Sequence, residues 1–347
     1  LAQAADTGLD VIVVDHHVAE PRLPRAHAII NPNRLDDASP HGQLAAVGVA
    51  FLLAVALNRG LRNAGWYAAR PEPDLRQLLD LVALGTVCDV VPLTGINRAF
   101  VRQGLRIMAR RRNIGLAALA DVAKIAEAPD AYHAGFVLGP RINAGGRVGE
   151  AGLGATLLTT AEPEQARAIA ARLHDLNAER RAIEAVCLEA AIVQVEEQRA
   201  SGGLDDALVY VAAEGWHPGV IGIVASRLKE RYNRPACVVA HGDGLGKGSG
   251  RSVPGIDLGV AVIAARQSGL LVNGGGHPMA AGFTVERGRE AEFRAFLANR
   301  IAAEIGPGGI AAELGVDGSL QPAGATLAFL DALEQLAPFG AGNARPR

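Results

Sequence analysis

The chain has 347 residues, enough for about two domains of ordinary size. With 49% hydrophobic and 20% charged residues it is not a disordered or low-complexity chain. A formal net charge of −2 argues against a globally basic nucleic-acid binder, so any phosphate-binding surface must be local. Cys88, Cys187 and Cys237 stand apart without a C-x-x-C pair, which argues against a disulfide framework or a cysteine zinc site and points to a reducing cytoplasm. No apolar run reaches the ~18 residues that span a bilayer, and no signal-peptide pattern opens the chain, so no membrane partner is expected.

In chain order, "LAQAAD" reads as a helix end with Gly8 as its C-cap, and "VIVVD" as a buried parallel strand. "HAIINP" is a second short strand, and "QLAAVGVAFLLAVALNRGL" a helix expected to be buried nearly all round. "PDLRQLLDLVALGTVCDVVPL" predicts a helix followed by a short apolar piece broken at Asp89 and Pro92. "INRAFVRQGLRIMARR" is an amphipathic helix with an arginine face, and "IGLAALADVAK" another helix. The alternation predicts an α/β fold with a doubly wound parallel sheet. From Glu162 to about Ala200 the text holds no glycine and one early proline, Pro163, and predicts a long connecting helix ended by "SGG" at 201–203. A smaller α/β unit follows, with strands at "DALVYVA" and "RPACVVA", glycine-rich loops at "HGDGLGKGSGRS" and "NGGGHP", and "PMAAG" as a possible helix start. The expected domains are 1–160, a connector at 161–200, a second domain at 201–306 and the start of a further unit at 307–347. The text opens inside a helical pattern and stops in mid-loop, so a piece of a longer protein is expected.

Asp15, His16 and His17 end the first strand, at the carboxyl edge where open α/β sheets place ligands. Adjacent side chains on a strand point to opposite faces, so the three converge only if the chain turns at the histidines. One histidine on a metal and the other on substrate or behind the metal is the expected division. Carboxylate with imidazole suits Mn²⁺, Mg²⁺, Fe²⁺ or Zn²⁺, and a pair of such ions suits phosphoryl transfer. The bland alternative is a capping aspartate with a solvated histidine pair. Asp89, an acid among apolar neighbours, reads equally as a satisfied structural acid or as a ligand.

These motifs carry a resemblance. "VIVVDHH", followed at Asp89 by "ALGTVCDVVPL", is similar to the third and fourth motifs of the DHH phosphoesterase superfamily. "INPNR", "NRAFVRQGL", "LGPRINAGGRV", "GWHPGVIGIVASRL", "GSGRSVPG", "GGGHPMAAG" and "LAPFGAGN" resemble its single-strand-specific 5′→3′ DNA exonucleases over nearly the whole chain. The resemblance implies a catalytic DHH domain joined by the long helix to a smaller DHH-associated domain, then an OB-like domain begun at 307–347. It implies Asp15, His16 and Asp89 as ligands of Mn²⁺ or Mg²⁺, two ions in the full-length protein, with His17 at or beside them. The family's first two aspartate motifs lie upstream of DHH and are not in this chain. About half the site is therefore expected here, with weak Mn²⁺ binding and no cleavage by this chain alone.

The second constellation would hold phosphate. "GKGSGRS" surrounds Ser249, Arg251 and Ser252 with glycines whose N–H groups would approach an anion, unless the segment is only a hairpin loop. Gly275, Gly276 and His277 form a second glycine loop. His217 precedes a helix N-terminus and divides evenly between function and a buried hydrogen bond. Arg141, Asn143 and Arg147 lie in a glycine-rich segment that is either a domain joint or, as the resemblance implies, beside the scissile nucleotide. The resemblance also implies that Ser249, Arg251 and His277 hold the 5′ end and backbone of single-stranded DNA. Trp66, Trp216, Tyr67, Tyr132, Tyr210 and Tyr232 are scattered, so backbone contact is expected to exceed base readout. Two alternatives remain open: a phosphodiesterase or oligoribonuclease acting on short oligonucleotides or cyclic dinucleotides, and a non-catalytic nucleic-acid-binding relative. A helicase and a single-strand-binding protein are the possible protein partners.

Overall fold

The computed structural model describes residues 1–202, 207–305, 309–310 and 314–347. They divide into two compact units: Leu1–Ile142, Leu153–His174 and Gly315–Arg347 in the first, Asn143–Gly152 and Asp175–Leu314 in the second. Gly203 of the expected Ser-Gly-Gly stop and the expected boundary at 306–307 lie outside the described residues.

In the first unit, α1 (Ala2–Asp6) leads to β1 (Ile12–Val14), which pairs in parallel with β2 (Ala28–Ile30). The parallel pairing is the one expected, and these two strands form a two-stranded sheet. Helix α2 (Ala46–Asn63) buries Gly48, Val49 and Asn58, but Val55 and Leu57 are exposed. The near-complete burial expected of it does not hold; its apolar text runs on both sides while packing covers one. Helices α3 (Leu79–Cys88) and α4 (Gly95–Met108) pack on each other around Ala83, Leu93 and Val101. Each fully buried leucine of this kind stabilises by roughly 1.5–3 kcal/mol. α3 absorbs the apolar piece "TVC" that sequence reading kept separate, because nothing before Asp89 breaks the helix. After α5 (Ile114–Val122), capped by the Asn113 side chain, a π-helical turn over His133–Leu138 runs into α6 (Gly139–Val148). The glycine-rich segment with Arg141, Asn143 and Arg147 is thus a helix rather than a loop. α7 (Leu153–Thr159) follows, then α8 (Pro163–Ala200), the expected long helix of 38 residues.

The second unit is a five-stranded mixed sheet built from β3 (Val209–Glu214), β4 (Ala236–Gly242), β5 (Leu245–Arg251), β6 (Asn273–His277) and β7 (Ala280–Glu286), in the order β3-β4-β5-β7-β6. Only β3–β4 is parallel; the other pairs are antiparallel. α9 (Pro218–Tyr232) covers one face through Val220, Ile221, Val224 and Leu228. α10 (Leu258–Gln267) and α11 (Glu290–Ile305) supply Leu258, Val262, Phe293 and Leu297 to the core with Phe283 and Val285 on the other face. Both expected glycine loops are strands, β5 and β6, and "PMAAG" opens no helix: Pro278 and Met279 turn the chain into β7. Near the end, α12 (Leu327–Glu334) belongs to the first unit.

Candidate metal and phosphate sites

The ladder between β1 and β2 continues one residue past β1, where the Asp15 N–H donates to the Ile30 carbonyl at 3.1 Å. There the chain turns. Asp15 Oδ1 accepts from the His16 N–H at 2.7 Å, from the His17 N–H at 3.3 Å and lies 2.7 Å from His17 Nδ1. Burial pushes the Asp15 carboxyl up, but the His17 side chain and the two N–H groups outweigh it, and the carboxyl is held below its ordinary range. Two asparagines fix the turn through backbone. Asn33 Nδ2 donates to the His16 carbonyl at 2.6 Å, and Asn31 Nδ2 to the His17 carbonyl at 2.8 Å. Asn31 is buried and also accepts from the Asn33 N–H at 2.8 Å. Sequence reading gave these two no role; the only signal was the "NPN" that ends β2.

The turn sends the two imidazoles different ways. His17 folds back on Asp15, while His16 Nε2 reaches Asp89 Oδ2 at 3.3 Å. His16 is 17% exposed and Asp89 40%, so the pair is sheltered on the imidazole side and open on the carboxylate side. Asp89 caps α3, and Val90 just beyond it takes the left-handed conformation with φ 60°. A β-branched residue is rare there, and the cost is of order 1–2 kcal/mol. The asparagine-clamped turn and the α3 C-terminus together bring one imidazole nitrogen and one carboxylate oxygen together. A carboxylate and an imidazole are donors that Mn²⁺ accepts readily and Mg²⁺ tolerates. Among the described residues, no three His, Cys, Asp or Glu side chains converge as one cluster, so the fit is that of a partial donor set.

In the second unit, β5 alternates. Gly246, Gly248 and Gly250 face the core, where a Cβ on Gly248 would lie 2.0 Å from the Phe283 ring. Their N–H groups belong to a strand paired on both sides. These glycines let the core close; they do not cradle an anion, which corrects the sequence reading. Ser249 and Arg251 occupy the opposite face. Directly paired residues share a face, so the register lays out two rows there: Ser249–Gly282–Gly275 and Arg251–Ala280–His277. Gly282 and Gly275 have nothing within 4 Å of a built Cβ and leave an open floor. Arg251 and His277 stand at the two ends of the adjacent row, about 10 Å apart at two strand spacings, and border the floor on one side. Gly276 faces the other way, against Ala281.

α9 forms a wall beside this floor. A Cβ on its Gly222 would lie 2.9 Å from Arg251 Nη2 and 3.0 Å from Ser249 Oγ. Arg251 Nη1 donates to Ser249 Oγ at 3.0 Å and to the Gly250 carbonyl at 2.8 Å. Arg147 Nη1 donates to the Gly219 carbonyl at 2.9 Å. Burial lowers the pKa of both guanidinium groups; Arg180 lowers that of Arg147 further, and Arg147 that of Arg251. Arg147 is exposed and Arg251 partly buried, and like charges of which one depresses the other favour an anion beside them. Arg180, unnoticed in the sequence, is buried and bonded to Asn177 and to Glu184 at 2.6 Å. His217 caps α9, its Nδ1 accepting from the Gly219 N–H at 3.0 Å. Ser252 is buried and donates to the Ile256 carbonyl at 2.8 Å, a turn contact rather than a free hydroxyl. Asn143 is exposed on α6. Arg141 lies in the first unit, donating to the Val137 carbonyl at 2.6 Å and to His174 Nδ1 at 3.3 Å.

Comparison with known proteins agrees with this division. The DHH family N-terminal domain matches residues 1–86, and the DHHA1 domain matches residues 205–303. Together they define a DHH–DHHA1 protein. Two curated relatives, the single-stranded-DNA-specific exonucleases RecJ of Dickeya dadantii and Escherichia coli, are 42% and 41% identical over 98% and 97% of this chain. The chain spans 60% of the length of each. RecJ of Thermus thermophilus, solved in complex with Mn²⁺, covers 100% of this chain with a TM-score of 0.84 at 33% identity, the chain covering 49% of it. A second solved RecJ bound to manganese is 34% identical with a TM-score of 0.67, over 87% of this chain and 72% of its own. The chain belongs to the RecJ family of DHH proteins.

Proposed function

We propose that the whole protein is a metal-dependent exonuclease that hydrolyses single-stranded DNA from the 5′ end, working in the cytoplasm in DNA repair and recombination. The observation that carries this reading is the approach of His16 Nε2 to Asp89 Oδ2 at 3.3 Å, in a chain whose RecJ relatives are named single-stranded-DNA-specific exonucleases. His16 and Asp89, with Asp15 beside them, would hold Mn²⁺ or Mg²⁺, two ions in the whole protein. Such ions supply charge neutralisation and activation of the attacking water. Asp15 keeps His17 in place, and Asn31 and Asn33 keep the turn rigid, so that the donors are set before substrate arrives. In the second unit, Arg147, Arg251 and Ser249 bind the 5′ phosphate, and the floor of Gly275 and Gly282 admits the sugar-phosphate backbone closely, with His277 at its border. A helicase and a single-strand-binding protein are the expected partners, because they expose and hold such strands. Among the described residues no helix is long and apolar enough to cross a membrane.

Mn²⁺ titration followed by electron paramagnetic resonance tests the metal assignment. His16→Ala and Asp89→Ala should each weaken binding by at least about tenfold, while His17→Ala acts less. Equal Mn²⁺ affinity in all variants overturns it. Turnover of long 5′-phosphorylated single strands in preference to dinucleotides, by the whole protein, supports the substrate; the reverse preference makes it a short-oligonucleotide phosphodiesterase.

A further inference from the structure

The π-helical turn over His133–Leu138 and the residue before it present an unusual surface. Tyr132 and Phe136, four residues apart, stack with centroids 5.4 Å apart and planes 24° from parallel, yet stand 61% and 73% exposed. π-helical turns are rare and concentrate at functional places. Beside the pair lies a cavity of about 480 Å³ lined by Arg102, Leu105, Tyr132, Pro338, Phe339 and Arg345 among others. The Arg345 guanidinium lies 5.0 Å over the Phe339 ring and pairs with Glu334 at 2.8 Å. Asp130, also on the wall, is 2.7 Å from His133 Nδ1, and Glu127 is 3.1 Å from His133 Nε2. The carboxylates at this rim therefore already have polar partners.

Arg102 is exposed and makes no salt bridge among the described residues. It belongs to a row on α4, Arg98, Arg102 and Arg106, four residues apart. Such spacing sets guanidinium groups on one side of a helix at a rise of about 6 Å per step. Exposed flat rings beside an unmatched guanidinium suit a nucleobase with its phosphate. Stacking on aromatic faces tolerates any base, and the cation takes the backbone. Arg98 of the row already donates to the Leu336 carbonyl at 2.6 Å, so Arg102 is the member left for a ligand, and a neutral peptide would leave it unused.

We propose that Tyr132 and Phe136 are a base-stacking platform for single-stranded nucleic acid, with Arg102 holding the adjoining phosphate. The inference rests on the single-strand reading above and adds a contact to bases that the sequence had not suggested. The test uses the full chain, a 5′-fluorescein 20-mer of thymidylate, and a matching oligonucleotide carrying abasic sites. Tyr132→Ala with Phe136→Ala should weaken binding of the ordinary strand by about tenfold or more and leave affinity for the abasic strand unchanged. Tyr132→Phe should bind as the wild type does. A 5-iodouracil strand should crosslink to the peptide containing residues 132–136. Equal affinity of the double variant for the ordinary strand overturns the inference and gives the rings to a protein partner. An equal loss on both strands overturns it as well, since stacking needs the base; an unchanged unfolding midpoint confirms that the variant is folded. If Arg251→Ala weakens binding while the aromatic variants do not, this inference alone fails. If the wild type binds no single strand, the reading it rests on fails with it.

Discussion

Val90 is the only β-branched residue among the described non-glycine positions with positive φ, and it directly follows the metal candidate Asp89. A helix of this kind ordinarily ends on glycine at that place. Replacing it, Val90→Gly, should relieve steric strain and raise stability by about 1 kcal/mol after the entropy gained by the unfolded chain is counted. Urea denaturation measures this. The same change frees the α3 terminus, so Mn²⁺ affinity should fall while stability rises. A variant that gains neither stability nor loses affinity would mean that the left-handed valine does nothing for Asp89.

At the scale of the element, β5 shows how far the text could be read. Asp15, His16 and His17 were visible as candidates because their chemistry is local. A β-branched run that stops at an acid and two imidazoles reads either as a metal site or as a capping aspartate with a solvated histidine pair, and Asp15 does accept from the two N–H groups that follow it. The helix start at His217 was legible from the proline that follows it. The glycines at 246, 248 and 250 misled, since glycine-rich text resembles a loop. The reason lies in core side chains distant in the text, Val239 and Val285 for Gly246, Phe283 for Gly248, 35 residues beyond it, and Leu258 and Cys237 for Gly250, and no local pattern announces them. Gly248→Ala should therefore cost about 1–3 kcal/mol through overpacking against that ring. Arg251→Ala, on the opposite face, should leave the unfolding midpoint near the wild-type value. Similar midpoints for the two variants would contradict the assignment of faces. Asp89 was half legible: the acid was visible, but its partner sits 73 residues earlier, and only the fold pairs them.

For the molecule as a whole, a net charge of −2 means that attraction to nucleic acid, as proposed, would come from local arginines and not from the total. Because backbone contact is expected to exceed base readout, oligonucleotide binding should still be strongly salt-dependent. Each phosphate neutralised contributes a slope of about −0.7 in log K against log salt on a single strand. Arg251→Ala should reduce the magnitude of that slope by roughly this amount, one contact's worth, as read by fluorescence anisotropy across a salt series. An unchanged slope would place Arg251 away from phosphate.

The asparagine clamp has a consequence for design. Asn31 and Asn33 grip carbonyl oxygens, which every residue possesses, rather than the imidazoles themselves. The backbone clamp thus asks for no particular side chain at position 16, whereas the His17 imidazole is also tied to Asp15 at 2.7 Å, so position 16 alone behaves as an interchangeable socket. On the proposed metal assignment, a softer or harder ligand at position 16, cysteine or aspartate in place of histidine, would sit on an unaltered backbone and retune which ion is preferred.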